Sequence, residues 1–224
     1  MEGPVKLQYL GDSKDSFKWD YLHFLAESLA YEKLVIVWMM TADDGSTYGR
    51  TAPETFPARK EILDLCRRLR AERQPALLFG LPAITGANYT VSLHDAGTSV
   101  RGRGQHSFFG EIEGGSRHVV FLDPDNGFEP ERSATERHVR YSDLDRLVRS
   151  LPDDAVVVVF QHHRRRKFVD DFARIRERLL SGFSSAIYWR SLMFVCIAPS
   201  AETIAKIGEI HREYARHRPV EVIG

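Results

Sequence analysis

The sequence predicts an α/β protein: a mostly parallel sheet with helices on both faces, ending in an antiparallel hairpin. Three observations carry this. Residues 34–40 (LVIVWMM), 118–122 (HVVFL) and 155–160 (AVVVVF) are continuous apolar, β-branched runs, the mark of strands covered on both sides. Stretches of helical period alternate with those runs, as helices connecting parallel strands must. Residues 186–190 and 192–197 are strand-like and separated by a single residue, so they can pair only as a hairpin.

The first helix is marked by Phe17, Tyr21, Leu25 and Leu29 at four-residue spacing with Leu22 beside them, after the capping-type Ser13 and Asp15. The first strand, 34–40, leads into residues 41–50 (TADDGSTYGR), which are all loop chemistry. Ile62, Leu65, Cys66 and Leu69 mark a second helix. Residues 76–117 are glycine-rich with few clear periods, and Phe108 and Phe109 suggest one short helix there. Strand 118–122 runs into the turn residues 123–127 (DPDNG). Ser142 is placed to cap a helix carrying Leu144, Leu147, Val148 and Leu151. Strand 155–160 runs into 161–167 (QHHRRRK), and Phe168, Phe172, Ile175 and Leu179 face one side of the next helix. After the hairpin, Ser200 caps a last amphipathic helix with Ile204, Ile207, His211 and Tyr214. This order is that of a three-layer, Rossmann-like sheet of the methyltransferase type, read as one domain over residues 1–224.

Composition bounds the partners. The 224 residues hold 31 Lys+Arg against 31 Asp+Glu, so the chain has no global excess of positive charge to grip nucleic acid. The balance is a cancellation. Residues 1–61 carry 7 basic against 10 acidic side chains, and residues 161–178 carry 7 basic against 3 acidic. Two cysteines far apart, Cys66 and Cys196, argue against a disulfide framework or a thiolate zinc site. With no signal-peptide pattern and no apolar run long enough for a bilayer, the expected setting is the cytoplasm.

In such sheets ligands bind beyond the carboxyl ends of the strands, where three loops lie: 41–50, 123–129 and 161–167. Asp123 sits at the end of a buried strand, Pro124 fixes the backbone after it, and Asp125, Asn126 and Gly127 favour a tight turn. These words are also those of an ordinary β-turn. Asp43 or Asp44 is placed to bind a ribose or an amino group, or simply to cap its loop; no GxGxxG accompanies them. Asp123 and Asp125 with His162 or His163 form a candidate ligand set for a divalent metal. Adjacent histidines point in opposite directions, so at most one of the two faces the crevice. Arg164, Arg165, Arg166 and Lys167 oppose the dipole of the helix they precede, an arrangement relieved by an anion such as a phosphate backbone. For Lys14, in the glycine turn 11–15, and Lys18 just after it, simple solvation is the alternative to a binding role.

The segment 11–19 (GDSKDSFKW) before a helix, followed by a strand and a Thr/Gly loop, resembles the opening of the bacterial ribosomal-RNA adenine methyltransferases. Gly11, Asp15, Lys18 and Thr41 match that pattern; Asp12 and Trp19 depart from it. The resemblance implies S-adenosylmethionine as cofactor, with Gly11, Lys18, Thr41, Asp43, Asp44 and Gly45 around it. It also puts Asp123, Pro124, Asp125 and Asn126 on the family's catalytic Asp-Pro-Pro-Tyr, with Phe128 as the nearest aromatic able to stack on a flipped base. A second likeness covers more of the chain. A group of bacterial proteins without an assigned activity shares its GDxxDxxK start, its WMxTxDDG loop, FxDPDNG and a late HHxxR.

Three functional readings are therefore open. One is a methyltransferase-like enzyme acting on nucleic acid through Asp123, with His162, His163, Arg164, Arg165 and Arg166 toward the substrate. The second is a metal-dependent nuclease or phosphodiesterase built on Asp123, Asp125 and a histidine. The third is a catalytically silent Rossmann-like module that binds nucleic acid.

Overall fold

A computed structural model describes residues 7–39, 51–94, 112, 114–135, 137–164 and 166–224. Seven strands form one sheet: β1 (Lys33–Met39), β2 (Thr90–His94), β3 (His118–Pro124), β4 (Val156–His162), β5 (Phe183–Trp189), β6 (Leu192–Ala198) and β7 (Glu221–Ile223). Their spatial order is β2-β1-β3-β4-β6-β5-β7. The pairs β1–β2, β1–β3 and β3–β4 are parallel, and β4–β6, β5–β6 and β5–β7 are antiparallel. The fold is the three-layer Rossmann-like α/β class read from the sequence, with parallel pairing confined to one half. The reversed strand β6 is inserted between β4 and β5 by a two-residue turn at Arg190 and Ser191, where Arg190 takes φ 51°.

Strand alternation explains the two-sided burial. Leu34 and Ile36 of β1, Val119 and Phe121 of β3, and Val158 and Phe160 of β4 enter one core. Val35 and Val37, Val120 and Leu122, and Val157 and Val159 enter the other, because successive side chains leave opposite faces. The first core is closed by α1 (Ser13–Ser28), α2 (Lys60–Glu72), α3 (Leu81–Thr85) and α6 (Ala201–His217). The second is closed by α4 (Tyr141–Ser150) and α5 (Phe168–Arg178).

Helix α1 departs from the amphipathic stripe that its spacing predicts. It is buried on nearly every side, because α2 and α6 pack against it in addition to the sheet. Its apolar residues still meet the sheet, with the Phe17 ring 4.8 Å from that of Phe194. Its polar residues have fixed partners. Asp20 accepts from Tyr214 Oη at 2.8 Å, Arg218 Nε at 2.7 Å and the Arg59 backbone N–H at 2.9 Å. Tyr21 Oη lies 2.7 Å from His211 Nε2, whose other ring nitrogen lies 2.9 Å from Ser185 Oγ. A helix between two protein layers needs partners all round, which removes amphipathic contrast from its sequence.

Other boundaries also shift. Asp12, not Ser13 or Asp15, caps α1, accepting from the N–H groups of Lys14 and Asp15 at 2.8 and 3.1 Å. Helix α4 begins at Tyr141 after Arg140, so Ser142 lies within its first turn and is not its cap. Ser200 caps α6 as expected, accepting from Glu202 N–H at 3.2 Å. The short edge strands β2 and β7 have no counterpart in the sequence reading, and the helix expected around Phe108 and Phe109 lies outside the described residues. Among the described residues, no helix is long and apolar enough to cross a membrane.

Candidate active site

Strand β1 has β2 on one side and β3 on the other, so the chain reverses its direction of travel across the sheet between β1 and β3. The carboxyl ends at that switch point are where ligands enter open α/β sheets. Here Trp38 pairs with Asp123 and Met39 with Pro124. A cleft of about 380 Å³ opens over them, within the size range of small-molecule sites. Its walls are Tyr9, Trp38, Asp123, Asp125, Asn126, Arg137, Phe160 and His162, together with Asp12, Lys14, Asp15 and Lys18 from the start of α1.

The centre of this arrangement is Lys18. Its Nζ donates to Asp123 Oδ2 at 2.7 Å, lies 3.6 Å from Asp15 Oδ1 and stands 4.5 Å from the centre of the Phe160 ring. Burial alone would lower the Lys18 pKa; the Asp123 and Asp15 carboxylates outweigh it and raise the pKa above the usual lysine range. Burial pushes the carboxyl pKa of Asp12, Asp15 and Asp123 upward, against the pull of Lys18, and that of Asp15 reaches about 6. Lys18 is therefore an ammonium held among three carboxyl groups, which removes the solvated alternative. Lys14 likewise lines the cleft, and burial lowers its pKa.

Gly11 acts through its backbone. Its N–H donates to Asp15 Oδ2 at 2.8 Å, and a Cβ there would fall 2.0 Å from the Cys66 carbonyl oxygen, at φ +76°. Only glycine lets the turn pass this close to α2 while orienting Asp15. Of the resemblance's cofactor set, Gly11 and Lys18 are thus beside the cleft. Thr41, Asp43, Asp44 and Gly45 lie outside the described residues.

The turn after β3 is locked from the α5 side. Gly127 takes φ +77°, and a Cβ on it would lie 2.0 Å from Gln161 Oε1. That oxygen accepts from the Phe128 N–H at 2.8 Å, while Gln161 Nε2 donates to Asp171 Oδ2 at 3.1 Å. Asn126 N–H donates to the Arg137 carbonyl and Val139 N–H to that of Gly127, each at 2.9 Å, which ties residues 137–139 to the turn. Asp123, Pro124, Asp125 and Asn126 all line the cleft as a result. Phe128 does not. It is fully buried in the second core and stacks on Tyr141 with ring centres 5.5 Å apart, so it offers no face to a substrate base. The reason is the turn itself, which carries the chain away from the cleft one residue after Gly127.

The two histidines separate as adjacent strand-end residues must. His162 lines the cleft, its ring edge-on to Phe160 at 4.8 Å. Burial, reinforced by the Lys14 and Lys18 charges, lowers its pKa to about 3, so its imidazole is neutral. His163 is exposed and packs edge-on to Phe168 at 5.5 Å. Arg164 is half-buried with one guanidinium nitrogen enclosed, and its charge acts on Asp171 and Tyr141. It does not line the cleft. Arg166 and Lys167 are exposed, and Arg165 lies outside the described residues. Among its described residues, the basic segment is thus not gathered around Asp123.

The metal reading gains no support from the described residues. Among the described residues, no group of three His, Cys, Asp or Glu side chains is disposed to hold a metal ion. The cation beside Asp123 is the Lys18 ammonium. Sequence reading overlooked Arg137, Trp38 and Phe160. The last two sit in strand runs that look purely structural, and Arg137 lies in a polar loop without a motif.

No protein-family model matches the chain, and no curated protein is significantly similar to it in sequence. Among solved structures, the chain is similar to human methyltransferase-like protein 13, crystallised in complex with SAH. The TM-score is 0.40 and the identity 12%, over 88% of each chain. The fold assignment rests on the strand order and pairing described above, and the resemblance to the adenine methyltransferases on the quoted motifs alone.

Proposed function

We propose that the protein is an S-adenosylmethionine-dependent methyltransferase-type enzyme acting on nucleic acid, with the cleft at the end of β1 and β3 as its site. The observation that supports this most is the placement of Asp123: an aspartate leaving a central strand at the switch point, followed by proline and facing a cleft of small-molecule size. The cofactor offers an ammonium and ribose hydroxyls as donors. Asp12 fits them, since its Oδ2 is buried at the cleft wall and accepts from no described residue. When bound, the cofactor supplies an electrophilic methyl group.

This chain's own residues then have distinct tasks. Lys18 fixes the orientation of Asp123 through Oδ2, leaving Oδ1 to accept from a target amine. Asp125 and Asn126 border the same opening, and Trp38 and Phe160 supply apolar walls. Neutral His162 is available to accept a hydrogen bond.

Calorimetry with S-adenosylmethionine and its demethylated product is the test. Binding to the wild type, weakened about tenfold in Asp12→Asn by loss of a charge-assisted hydrogen bond, is the expected result. Asparagine retains the helix cap, so folding is preserved. Absence of binding at millimolar ligand would end the proposal. A second reading, a binding module without transfer, draws support from Lys18, whose ammonium takes one of the Asp123 oxygens. Methyl incorporation into RNA or DNA from labelled cofactor separates the two readings.

A further inference from the structure

We propose that Asp15 is a positioning residue of this site: while ionised, it holds the Lys18 ammonium to one oxygen of Asp123 and so keeps the other open to a target amine. The inference deepens the reading above and rests on it for the identity of the group that Asp123 receives.

A chain of contacts runs from α2 to the end of β3. The backbone of α2 enforces glycine at position 11, where a Cβ would lie 2.0 Å from the Cys66 carbonyl oxygen and 2.7 Å from the Arg70 backbone nitrogen. The Gly11 N–H donates to Asp15 Oδ2 at 2.8 Å, which fixes that carboxylate with Oδ1 3.6 Å from Lys18 Nζ. Lys18 Nζ in turn donates to Asp123 Oδ2 at 2.7 Å and stands 4.5 Å from the centre of the Phe160 ring. The ammonium thus lies between two carboxylates and over an aromatic face. The side chains of Asp15, Lys18 and Asp123 are only 6, 11 and 14% exposed, so water screens these attractions weakly.

An ammonium carries three donors and can bridge both oxygens of a single carboxylate. The pull of Asp15 keeps Nζ on the Oδ2 side of Asp123. Without that charge, Asp123 is the carboxylate left within ion-pair distance, and Lys18 closes over both of its oxygens, where a target amine has to bind. Protonation removes the charge as a substitution does. Burial raises the Asp15 pKa to about 6, so the hold is present above that value and lost as pH falls through it. The charged or titratable groups around Asp15 are Asp12, Lys14 and Lys18 on α1, the Cys66 thiol on α2, and Asp123 and His162 at the strand ends. Burial keeps the Cys66 thiol protonated, and His162, with a pKa of about 3, stays neutral, so neither titrates near 6.

Crystal structures of the wild type at about pH 8 and about pH 5, and of Asp15→Asn at about pH 8, test the geometry on both sides of this titration. Asparagine still accepts from the Gly11 N–H, so the turn is kept. Nζ should lie within hydrogen-bond distance of Oδ2 alone in the first structure and of both Asp123 oxygens in the other two. Nζ on Oδ2 alone in every structure overturns the proposal. If Asp15→Asn fails to fold, the two wild-type structures decide.

Transfer of labelled methyl from S-adenosylmethionine to RNA or DNA, followed from about pH 5 to about pH 8, supplies the second readout. Asp15→Asn should lower kcat/KM about tenfold at the alkaline end, the effect of one charge-assisted hydrogen bond. The two proteins should converge below about pH 6, as wild-type Asp15 takes up its proton. A constant ratio across this range would mark Asp15 as merely structural and overturn the proposal. Absence of transfer in the wild type counts against the earlier reading alone, because the position of Nζ still decides this one.

Discussion

Replacing Gly127 with alanine tests whether the turn that aims Asp123 is built around Gln161. Two effects add. An L-residue at φ +77° incurs a backbone penalty of about 1–2 kcal/mol. The new Cβ would also lie 2.0 Å from Gln161 Oε1 and 2.8 Å from its Cδ, so the amide must swing away. The swing breaks its hydrogen bond with the buried Phe128 N–H, at about 1–3 kcal/mol for an unsatisfied donor. The sum, about 2–5 kcal/mol, is large against the stability of a typical domain. Urea unfolding followed by circular dichroism measures it, and a Gln161→Ala background separates the parts. There the amide is already absent, and Gly127→Ala should retain only the backbone penalty of about 1–2 kcal/mol. The same cost in both backgrounds, or less than about 1 kcal/mol in the wild type, would refute the proposed lock.

Three further outcomes are expected. Lys18→Met leaves Asp15 and Asp123 buried without their cation and should destabilise by about 3–5 kcal/mol near neutral pH. The loss should shrink below the Asp15 value of about 6, as the carboxyls take up protons, and urea unfolding on either side of that pH reads the difference. Asp20→Ala removes the carboxylate that binds Arg218, Tyr214 and the Arg59 N–H, and should cost about 3–5 kcal/mol; a loss under about 1 kcal/mol by the same assay would show that α1 is not tied to the C-terminal segment this way. The third concerns acid. His162 and His211 have folded pKa values of about 3, so the stability linked to their neutral form is complete above about pH 6.5 and lost as pH falls toward 3. Asp15 acts in the opposite sense: its folded pKa of about 6 exceeds the unfolded value near 4, so its contribution declines as pH rises between them. Proton NMR should accordingly find both imidazoles without a titration step between about pH 5 and 8.

The central strands were legible because burial on both faces forces continuous apolar runs, as in residues 34–39 and 156–160. The hairpin was legible because only two residues separate β5 from β6. Strand β2 escaped notice: it is a half-buried edge strand of five residues, with Val91 and Leu93 alternating against polar neighbours and too short to outweigh the glycines around it. The place of Asp123 to Asn126 at the strand end, where the cleft opens, was readable because a turn after a buried strand has few other places to be. Phe128 was misassigned because sequence spacing does not show on which side of Gly127 the chain leaves the cleft.

Sequence alone determined the α/β class, the position of Asp123 at a strand end and the basic content of residues 161–178, since all three follow from local pattern. Only tertiary structure decided which charges meet. Lys18 and Asp123 are 105 positions apart and 2.7 Å apart in space, and nothing in either neighbourhood encodes the pairing. The same holds for the turning of Arg164 toward Asp171. Electrostatic partnership depends on distance and burial, which the packing of α1 against the sheet sets and no linear spacing records.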